Sequence, residues 1–340
     1  MELFGQKGHF LVSMSHSIVS IGEPIIDFVE APASTATKRV YQTNAGGGAA
    51  NVLAAAAAVG GAPAMIGRVG DDLFGEYLID RLIARGVNPA GIKKDHYKQT
   101  GIGFVSHREQ GEREFLFYRG TQDVVLYDPK KDRQILENAE VYHFTSVSMV
   151  TSALKRDTLL ALDDARALRK VISFDVNDRP ALWADRSEGE KVIRETLKKA
   201  DIIKLSQEEM TFLFPGESLD SCAARLFRMG AKLACISLGE EGCYLAVPDF
   251  SLRQAAPKVQ AVDTTGCGDA FMGALLQTLC TEGHIYGLER ISPDALGRAA
   301  EYAVYAGSIC ATRQGSFECM PTLEEIRRRI ANSAKVESGR

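Results

Sequence analysis

Asp263-Thr-Thr-Gly-Cys-Gly-Asp269 leads into the apolar run Ala270-Phe-Met-Gly-Ala-Leu275, a loop followed by a predicted helix with two glycines at the junction. Because Gly266 and Gly268 flank Cys267, successive backbone N–H groups there can form an anion-binding nest at the positive end of the helix dipole. A carboxylate at Asp269 would repel a bound phosphate, but it suits a general base that deprotonates an incoming hydroxyl while the nest stabilises a transferring phosphoryl group. The alternative is that Asp263, the two threonines and Asp269 serve only as turn and capping residues.

A second glycine-rich segment, Asn44-Ala-Gly-Gly-Gly-Ala-Ala-Asn51, leads into an alanine-rich helix. Asn51 occupies the place of the last glycine in a G-x-G-x-x-G fingerprint, and no Gly-Lys-Ser/Thr is present. Neither a nicotinamide dehydrogenase nor a P-loop is therefore indicated. Close packing of the helix on a sheet would also explain the glycines. The Asn51 amide favours ligand binding, because it can both donate to and accept from sugar hydroxyls.

Composition narrows the class of protein. The chain has 340 residues, of which 45% are hydrophobic and 25% charged, values typical of a soluble globular enzyme. A formal net charge of -4 provides no basic field for nucleic acid or an anionic membrane. The seven cysteines form no C-x-x-C pair and predict reduced thiols in a cytoplasmic protein. The first residues lack a signal-peptide pattern, so we expect residues 1–14 to be an extension, with Met14 as an alternative start.

Short apolar runs alternate with helical patterns along most of the chain and predict parallel β-α-β units. The predicted strands are 17–22, 64–69, 141–144, 171–175, 202–204, 235–238 and 242–247. The predicted helices are 49–59, 73–84, 152–169, 189–200, 218–228, 270–281, 292–313 and 321–332. Two stretches, about 27–43 and 101–120, instead show alternating patterns and a turn at 109–112. They predict antiparallel strands of a small sheet that forms a lid over a cleft.

The two glycine-rich segments, taken in order, resemble the two signatures of the ribokinase-like (PfkB-type) carbohydrate kinases. The late signature usually has an alanine where this chain has Cys267. Intermediate markers of the same family extend the resemblance from about residue 17 to 321; they are 70–75, 201–209, 237–242 and 311–315. The resemblance implies one kinase domain over residues 15–330, with a three-layer α/β/α fold, a mostly parallel central sheet and a small β-sheet lid.

The resemblance also implies ATP and Mg²⁺ as cofactors and assigns roles to individual residues. Asp269 would be the general base, and Gly266, Cys267 and Gly268 the anion hole. The sugar would be bound by Asp27, Gly46, Gly47, Asn51, Arg119 and Arg179. The nucleotide would be met by Ser206, Ser237, Gly239, Gly242, Ala306 and Cys310.

Two metal sites follow from the same resemblance. Glu209 would position Mg²⁺ through water, although the asparagine usual in the family is Ser206 here. Asp263, Thr265 and Gly315 match part of a monovalent cation site for K⁺, in which Cys319 stands where a serine hydroxyl is common. The Cys267 thiol within the nest predicts an activity sensitive to oxidation.

The sugar acceptor is less defined. Residues 115–123 resemble fructokinases, and residues 174–183 resemble a stretch that fructokinases share with 2-keto-3-deoxygluconate kinases. Asp123 after Arg119 favours fructose, whereas the two arginines also suit a sugar acid, and Arg179 could equally form a surface ion pair. A ribose or nucleoside kinase and a catalytically silent sugar-binding regulator are further alternatives. An apolar lid face of Phe104, Phe115 and Phe117 would suit a lid-to-lid homodimer.

Overall fold

The fold was analysed from a computed structural model that describes residues 16–31, 33–35, 37–107, 113–121 and 127–338. Predictions for the extension at 1–14, the start at Met14, the turn at 109–112 and Asp123 lie outside the described residues. Among the described residues, no helix combines the length and apolar character that a membrane span requires.

Nine strands form the main sheet, in the order β13-β12-β11-β10-β9-β8-β1-β4-β5. All neighbours are parallel except β11–β12 and β12–β13, so the predicted mostly parallel sheet is confirmed. The strands are β1 His16–Ile21, β4 Ala64–Gly70, β5 Asn88–Asp95, β8 Ala139–Thr145, β9 Val171–Asp175, β10 Ile202–Ser206, β11 Leu233–Ser237, β12 Cys243–Val247 and β13 Phe250–Gln254.

Helices cover both faces of this sheet. One apolar core contains Ile18, Ile202 and Leu233, while the other contains their chain neighbours Val19, Ile203 and Ala234. Successive strand residues thus point into opposite cores, which is why these strands are apolar throughout. The first core packs on α1 Gly48–Ala58, α2 Leu73–Ala84, α8 Cys267–Thr281, α9 Pro293–Ala311 and α10 Leu323–Ser338. The second packs on α3 Pro129–Glu137, α4 Ser152–Ala167, α5 Arg186–Leu197, α6 Gln207–Leu213 and α7 Leu219–Arg228. The predicted three-layer α/β/α arrangement is confirmed.

The elements that the sequence did not predict are short or lie at an edge. Strands β5 and β13 are the two outer strands of the main sheet. They contain polar residues, such as Lys93-Lys94 in β5, as edge strands commonly do. They therefore lack the continuous apolar run by which a strand is recognised in the sequence. Helices α3 and α6 are also absent from the predicted set, and each has fewer than ten residues.

The lid is a four-stranded sheet in the order β3-β2-β6-β7, formed by β2 Ile25–Glu30, β3 Tyr41–Gly46, β6 Ile102–His107 and β7 Arg113–Tyr118. The prediction of antiparallel strands was wrong for one pair, because β2 and β6 run parallel. These two strands belong to separate excursions from the main sheet, so no hairpin turn forces them to run in opposite directions.

The predicted apolar lid face was also wrong in one respect. Phe104 pairs with Leu116, and Gly103 pairs with Phe117, so Phe104 and Phe117 point to opposite faces of the lid. Phe117 faces the cavity described below. On the other face, Phe104 packs against Phe28, Tyr41 and Tyr118. The side chain of Phe115 lies outside the described residues.

Candidate active site

A cavity of about 1080 Å³ lies between the lid and the carboxyl edge of the main sheet. Ligands of open α/β sheets bind outside this edge, where side chains that follow parallel strands meet. The cavity is lined by many of the residues predicted from the sequence: Asp27, Gly47, Asn51, Arg119, Arg179, Ser206, Glu209, Asp263, Thr265, Gly266, Gly268, Asp269 and Gly315.

The anion nest forms where α8 begins. Gly266 is the N-cap residue, with a φ of 79°, a left-handed conformation that favours glycine. The first helical N–H groups have no partner within the helix and point toward the cavity end of α8, where the helix dipole is positive. The N–H of Cys267 also donates to the Thr264 carbonyl oxygen at 3.3 Å, so Gly268 and Asp269 supply the N–H groups best placed for a ligand.

Asp269 lies in the first turn of α8 and is 8% exposed. Its Oδ2 atom accepts a hydrogen bond of 2.8 Å from Nδ2 of Asn51 in α1. Burial raises the pKa of Asp269, while the Asn51 hydrogen bond and the positive charges of Lys204 and Arg179 oppose that rise. This hydrogen bond thus joins the two glycine-rich segments through residues that are 218 positions apart in the chain.

Asp27 points into the cavity from β2 and is held between two glycines. A Cβ atom on Gly46 would lie 2.5 Å from Asp27 Oδ2, and one on Gly103 would lie 2.8 Å from Asp27 Oδ1. Any side chain at either position would displace the carboxylate. Burial raises the pKa of Asp27 to about 7, with Arg179 lowering it and Asp269 raising it further.

Gly47 has a different function in this geometry. Its φ is 108°, and a Cβ there would lie 2.0 Å from the Glu23 carbonyl oxygen. The residue is thus required for the close approach of α1 to the end of β1, and it also lines the cavity.

A buried ion pair at the cavity floor is a feature that the sequence reasoning missed. Lys204 Nζ lies 3.0 Å from Asp175 Oδ1 and 3.1 Å from Oδ2, and the side chains are 7% and 0% exposed. Burial alone would lower the pKa of Lys204, but Asp175 raises it on balance, so the ammonium group is charged. Lys204 Nζ would also lie 3.2 Å from a Cβ on Gly268, which places a positive charge directly beside the nest. A lysine within the apolar run Ile202-Ile-Lys-Leu205 was the sequence signal for this residue.

Glu23 and Asn177 are two further cavity residues that the sequence reasoning did not assign. Burial raises the pKa of Glu23 to about 7. A hydrogen bond from its own backbone N–H and the charges of Arg119 and Arg179 oppose that rise. Its buried Oε2 atom accepts no hydrogen bond from the described residues. Asn177 directly follows β9 and has a positive φ of 38°. Both residues follow the end of a parallel strand, and this position was the sequence signal that could have identified them as cavity residues.

Both predicted arginines line the cavity. Arg119 donates to the Leu182 carbonyl oxygen at 3.4 Å, and Arg179, which is exposed, donates to the Asp178 carbonyl oxygen at 3.1 Å. Both charges lower the pKa of Glu23, and the Arg179 charge also lowers the pKa of Asp27.

Glu209 and Ser206 form a capping box at the start of α6. Glu209 Oε2 accepts from the Ser206 N–H at 2.7 Å, and Ser206 Oγ accepts from the Glu209 N–H at 3.1 Å. Glu209 Oε1 accepts from the Asp178 N–H at 2.7 Å. With both oxygens so engaged, Glu209 fits Mg²⁺ held through water, because this ion usually keeps several of its waters when it binds to proteins. The described residues contain no group of three or more His, Cys, Asp or Glu that could hold a metal ion directly.

The structure does not bring all the predicted nucleotide residues into this cavity. Ser237 and the left-handed glycines Gly239 and Gly242 lie at the turn between β11 and β12, and Ala306 and Cys310 are buried in α9. The lining residues of the cavity do not include these five. Their nucleotide-binding roles stay predictions.

The predicted cation site lies beside a cysteine pair. The structure joins Cys310 and Cys319 as a disulfide, so the expectation that all seven cysteines are thiols was wrong for these two. The reason lies in the tertiary structure: the loop after α9 folds back and brings the two cysteines together, although no short sequence motif relates them. Both sulfur atoms face the Thr265 carbonyl oxygen, at 3.6 and 3.8 Å. Asp263, Thr265 and Gly315 line the cavity and carry oxygen atoms that could bind K⁺, but Cys319 adds none, so the K⁺ site stays a prediction.

Comparison with known proteins identifies the family. Residues 15–323 match the pfkB family carbohydrate kinase. Fructokinase-1 of Oryza sativa subsp. japonica is 35% identical over 320 residues, which cover 93% of this chain and 98% of that protein. Fructokinase-1 of Zea mays is 36% identical over 313 residues, covering 91% and 96%.

Solved structures give the same result. Fructokinase with bound ATP from Xylella fastidiosa superposes with a TM-score of 0.86 at 28% identity, covering 94% of this chain and 100% of that one. A putative ribokinase II from E. coli in complex with ATP and Mg²⁺ has a TM-score of 0.82 at 25% identity, covering 93% and 99%. The resemblance carried by the two glycine-rich segments is thereby confirmed, and the chain belongs to the pfkB family of carbohydrate kinases.

Proposed function

We propose that this enzyme transfers the γ-phosphoryl group of ATP to a hydroxyl of fructose, with Asp269 as the general base. One observation carries the proposal: the Asp269 carboxylate, the anion nest and the Asp27 carboxylate all face one cavity. A base, a site for the transferring group and an acceptor for sugar hydroxyls are the parts that an in-line transfer needs.

At the acceptor end, Asp27 accepts hydrogen bonds from sugar hydroxyls. Its carboxylate is fixed between Gly46 and Gly103, and this fixed carboxylate orients the sugar. The reacting hydroxyl lies against Asp269, which takes its proton as the phosphorus–oxygen bond forms. The Asn51 amide holds Asp269 in place, and its hydrogen bond opposes the rise of the Asp269 pKa that burial causes, which favours the ionised carboxylate that a base requires. Orientation of this kind converts a bimolecular step into an intramolecular one.

At the donor end, the N–H groups at the start of α8 bind the oxygens of the transferring phosphoryl group, and its negative charge lies at the positive end of the helix dipole. The Lys204 ammonium beside Gly268 supplies a full positive charge at the same place. Mg²⁺, when bound through water near Glu209, would neutralise charge on the β- and γ-phosphates.

Fructose is favoured over a sugar acid by the charge of the cavity. The relatives named above are fructokinases. Arg119 and Arg179 could pair with a substrate carboxylate, which keeps a 2-keto-3-deoxygluconate kinase as the second candidate. However, Glu23, Asp27 and Asp269 line the same cavity, and a substrate carboxylate would be repelled wherever these acids are ionised. A neutral ketohexose avoids that repulsion.

The remaining parts of the proposal are the K⁺ site at Asp263, Thr265 and Gly315, a homodimer through the lid and a cytoplasmic location. All three stay predictions. The nucleotide-binding roles of Ser237, Gly239, Gly242, Ala306 and Cys310 belong with them.

A panel assay tests the substrate. The enzyme is incubated with ATP and Mg²⁺ and with fructose, 2-keto-3-deoxygluconate, ribose or adenosine in turn, and ADP release is measured. We expect the highest kcat/KM with fructose. A higher kcat/KM with the sugar acid would favour the second candidate, and no release with any acceptor would favour a sugar-binding regulator.

A further inference from the structure

Cys310 and Cys319 lie against each other beneath the anion nest. Cys310 is near the end of α9, Cys319 follows nine residues later, and their Cα atoms are 4.6 Å apart. This separation lies within the range of about 4.4 to 6.8 Å in which disulfides form. Neither side chain has exposed surface. The backbone therefore places the two sulfur atoms against each other.

The sulfur atoms touch the segment that forms the nest. Both lie within 4 Å of the Thr265 carbonyl oxygen, at 3.6 and 3.8 Å. A Cβ on Gly266, the residue that caps α8, would lie 3.4 Å from Cys319 Sγ and 3.8 Å from Cys310 Sγ. A movement of either sulfur atom would therefore displace Thr265 or Gly266, the residues that begin the nest.

The chain between the two cysteines is also a wall of the active-site cavity. Gln314, Gly315 and Ser316 all line it. A Cβ on Gly315 would lie 3.5 Å from Asn44 Oδ1, and Ser316 Oγ lies 3.5 Å from the Cβ position of Gly46. Gly46 in turn lies against the Asp27 carboxylate, which occupies the space that a side chain at position 46 would need. A cross-link at the two ends of this loop fixes the wall against which the sugar is expected to bind.

We propose that Cys310 and Cys319 are a reversible redox pair, whose disulfide fixes this wall of the active site and whose reduction loosens it. The oxidant is a low-molecular-weight disulfide. One cysteine thiolate attacks it and expels a thiolate, and the second cysteine then attacks the mixed disulfide and expels the other. The pair loses two protons and two electrons, and the oxidant gains them as two thiols. A dithiol reverses both steps. Because the pair is buried, exchange proceeds when the loop opens locally.

The kinetic consequence rests on the proposed function. A loop held in its binding conformation lowers the entropic cost of binding. We therefore expect the reduced enzyme to have a KM for the acceptor about three- to tenfold higher than the oxidised enzyme, with kcat changed much less. The pairing itself, and the loosening of the loop, do not depend on which sugar is phosphorylated.

The full chain is equilibrated in glutathione buffers of graded redox poise, trapped by alkylation and mapped by peptide mass spectrometry. We expect a cross-linked peptide joining Cys310 to Cys319 to appear at oxidising poise and disappear at reducing poise. Trypsin cleavage after Arg313, inside the loop, should be faster in the reduced state, and the KM should follow the same midpoint. Cys319→Ala, which removes the sulfur without adding the hydroxyl of the predicted K⁺ site, should show the reduced behaviour at every poise. Cys222→Ala, which removes a buried cysteine of α7, should keep the wild-type response.

Three results would overturn the proposal. These are a folded wild-type protein with no cross-linked peptide at any poise, equal cleavage at Arg313 in both states, and a response that maps to Cys267 alone. The wild-type titration needs no variant, so a misfolded Cys319→Ala protein would not remove the test. A failure to phosphorylate fructose would leave the peptide and cleavage readouts intact, and the two failures are therefore distinguishable.

Discussion

Replacing Asn51 by alanine should raise the pKa of Asp269, the proposed general base, by an amount that the structure allows us to work out. The hydrogen bond from Asn51 Nδ2 to Asp269 Oδ2 is 2.8 Å long, and the two residues are 5% and 8% exposed. A hydrogen bond to a charged group contributes about 1.5 to 3 kcal/mol. About 1.4 kcal/mol corresponds to one pKa unit, so the pKa of Asp269 should rise by about one to two units in Asn51→Ala.

The assay is the pH profile of kcat/KM for ATP-dependent fructose phosphorylation. The acid limb reports the ionisation of the base in the free enzyme. In Asn51→Ala it should move to higher pH by about one to two units, because the variant needs a higher pH to ionise Asp269. Asn138→Ala, a change at the C-terminal end of α3, provides the control and should leave the limb unmoved. A limb at the same pH in Asn51→Ala and wild type would refute the role of Asn51. Lost sugar contacts alone would lower the whole profile without moving the limb.

Three other predictions follow from the same site. Burial raises the pKa of Asp27 to about 7 from 3.8, so the native state binds its proton more tightly than the unfolded state and stability from this group falls as pH rises between these values. Asp27→Asn should therefore raise the Tm relative to wild type more at pH 8 than at pH 4; a pH-independent difference would contradict this. Gly46→Ala should displace the Asp27 carboxylate and lower kcat/KM for the sugar by about tenfold or more. The control Gly297→Ala in α9 has open space around its Cβ and should have little effect. Equal kcat/KM in both variants would contradict the steric argument. Rates measured with and without K⁺ test the site at Asp263, Thr265 and Gly315; a rise with K⁺ is expected, and equal rates would remove the site.

The parts of the site that could be predicted are those that local sequence determines. Gly266 and Gly268 before an apolar helix specify an anion nest through backbone geometry alone, and Asp269 follows them in the chain. The mostly parallel sheet also follows from local patterns, since strands buried on both faces have continuous apolar runs. Helix α2 and strand β9 have the bounds predicted for them.

The rest depends on residues that only the fold brings together. Lys204 and Asp175 belong to neighbouring strands 29 residues apart, and neither strand identifies the other as its partner. Phe117 was predicted on the same lid face as Phe104 because the register of β6 against β7, which decides the face, cannot be read from either strand alone. The pairing of Cys310 with Cys319 likewise depends on how the loop after α9 returns to the nest.

The central claim is that Asp269 removes the proton of the acceptor hydroxyl, and Asp269→Asn tests it most directly. Asparagine has nearly the same shape and keeps a side-chain oxygen for the Asn51 amide, but it cannot accept the proton. Single-turnover phosphorylation of fructose should be slower by about a hundred- to ten-thousand-fold, the usual contribution of a general base. The Kd values for ATP and fructose, measured by calorimetry on the same sample, should change only a few-fold. An Asp269→Asn enzyme that binds both ligands and turns over at the wild-type rate would contradict the account.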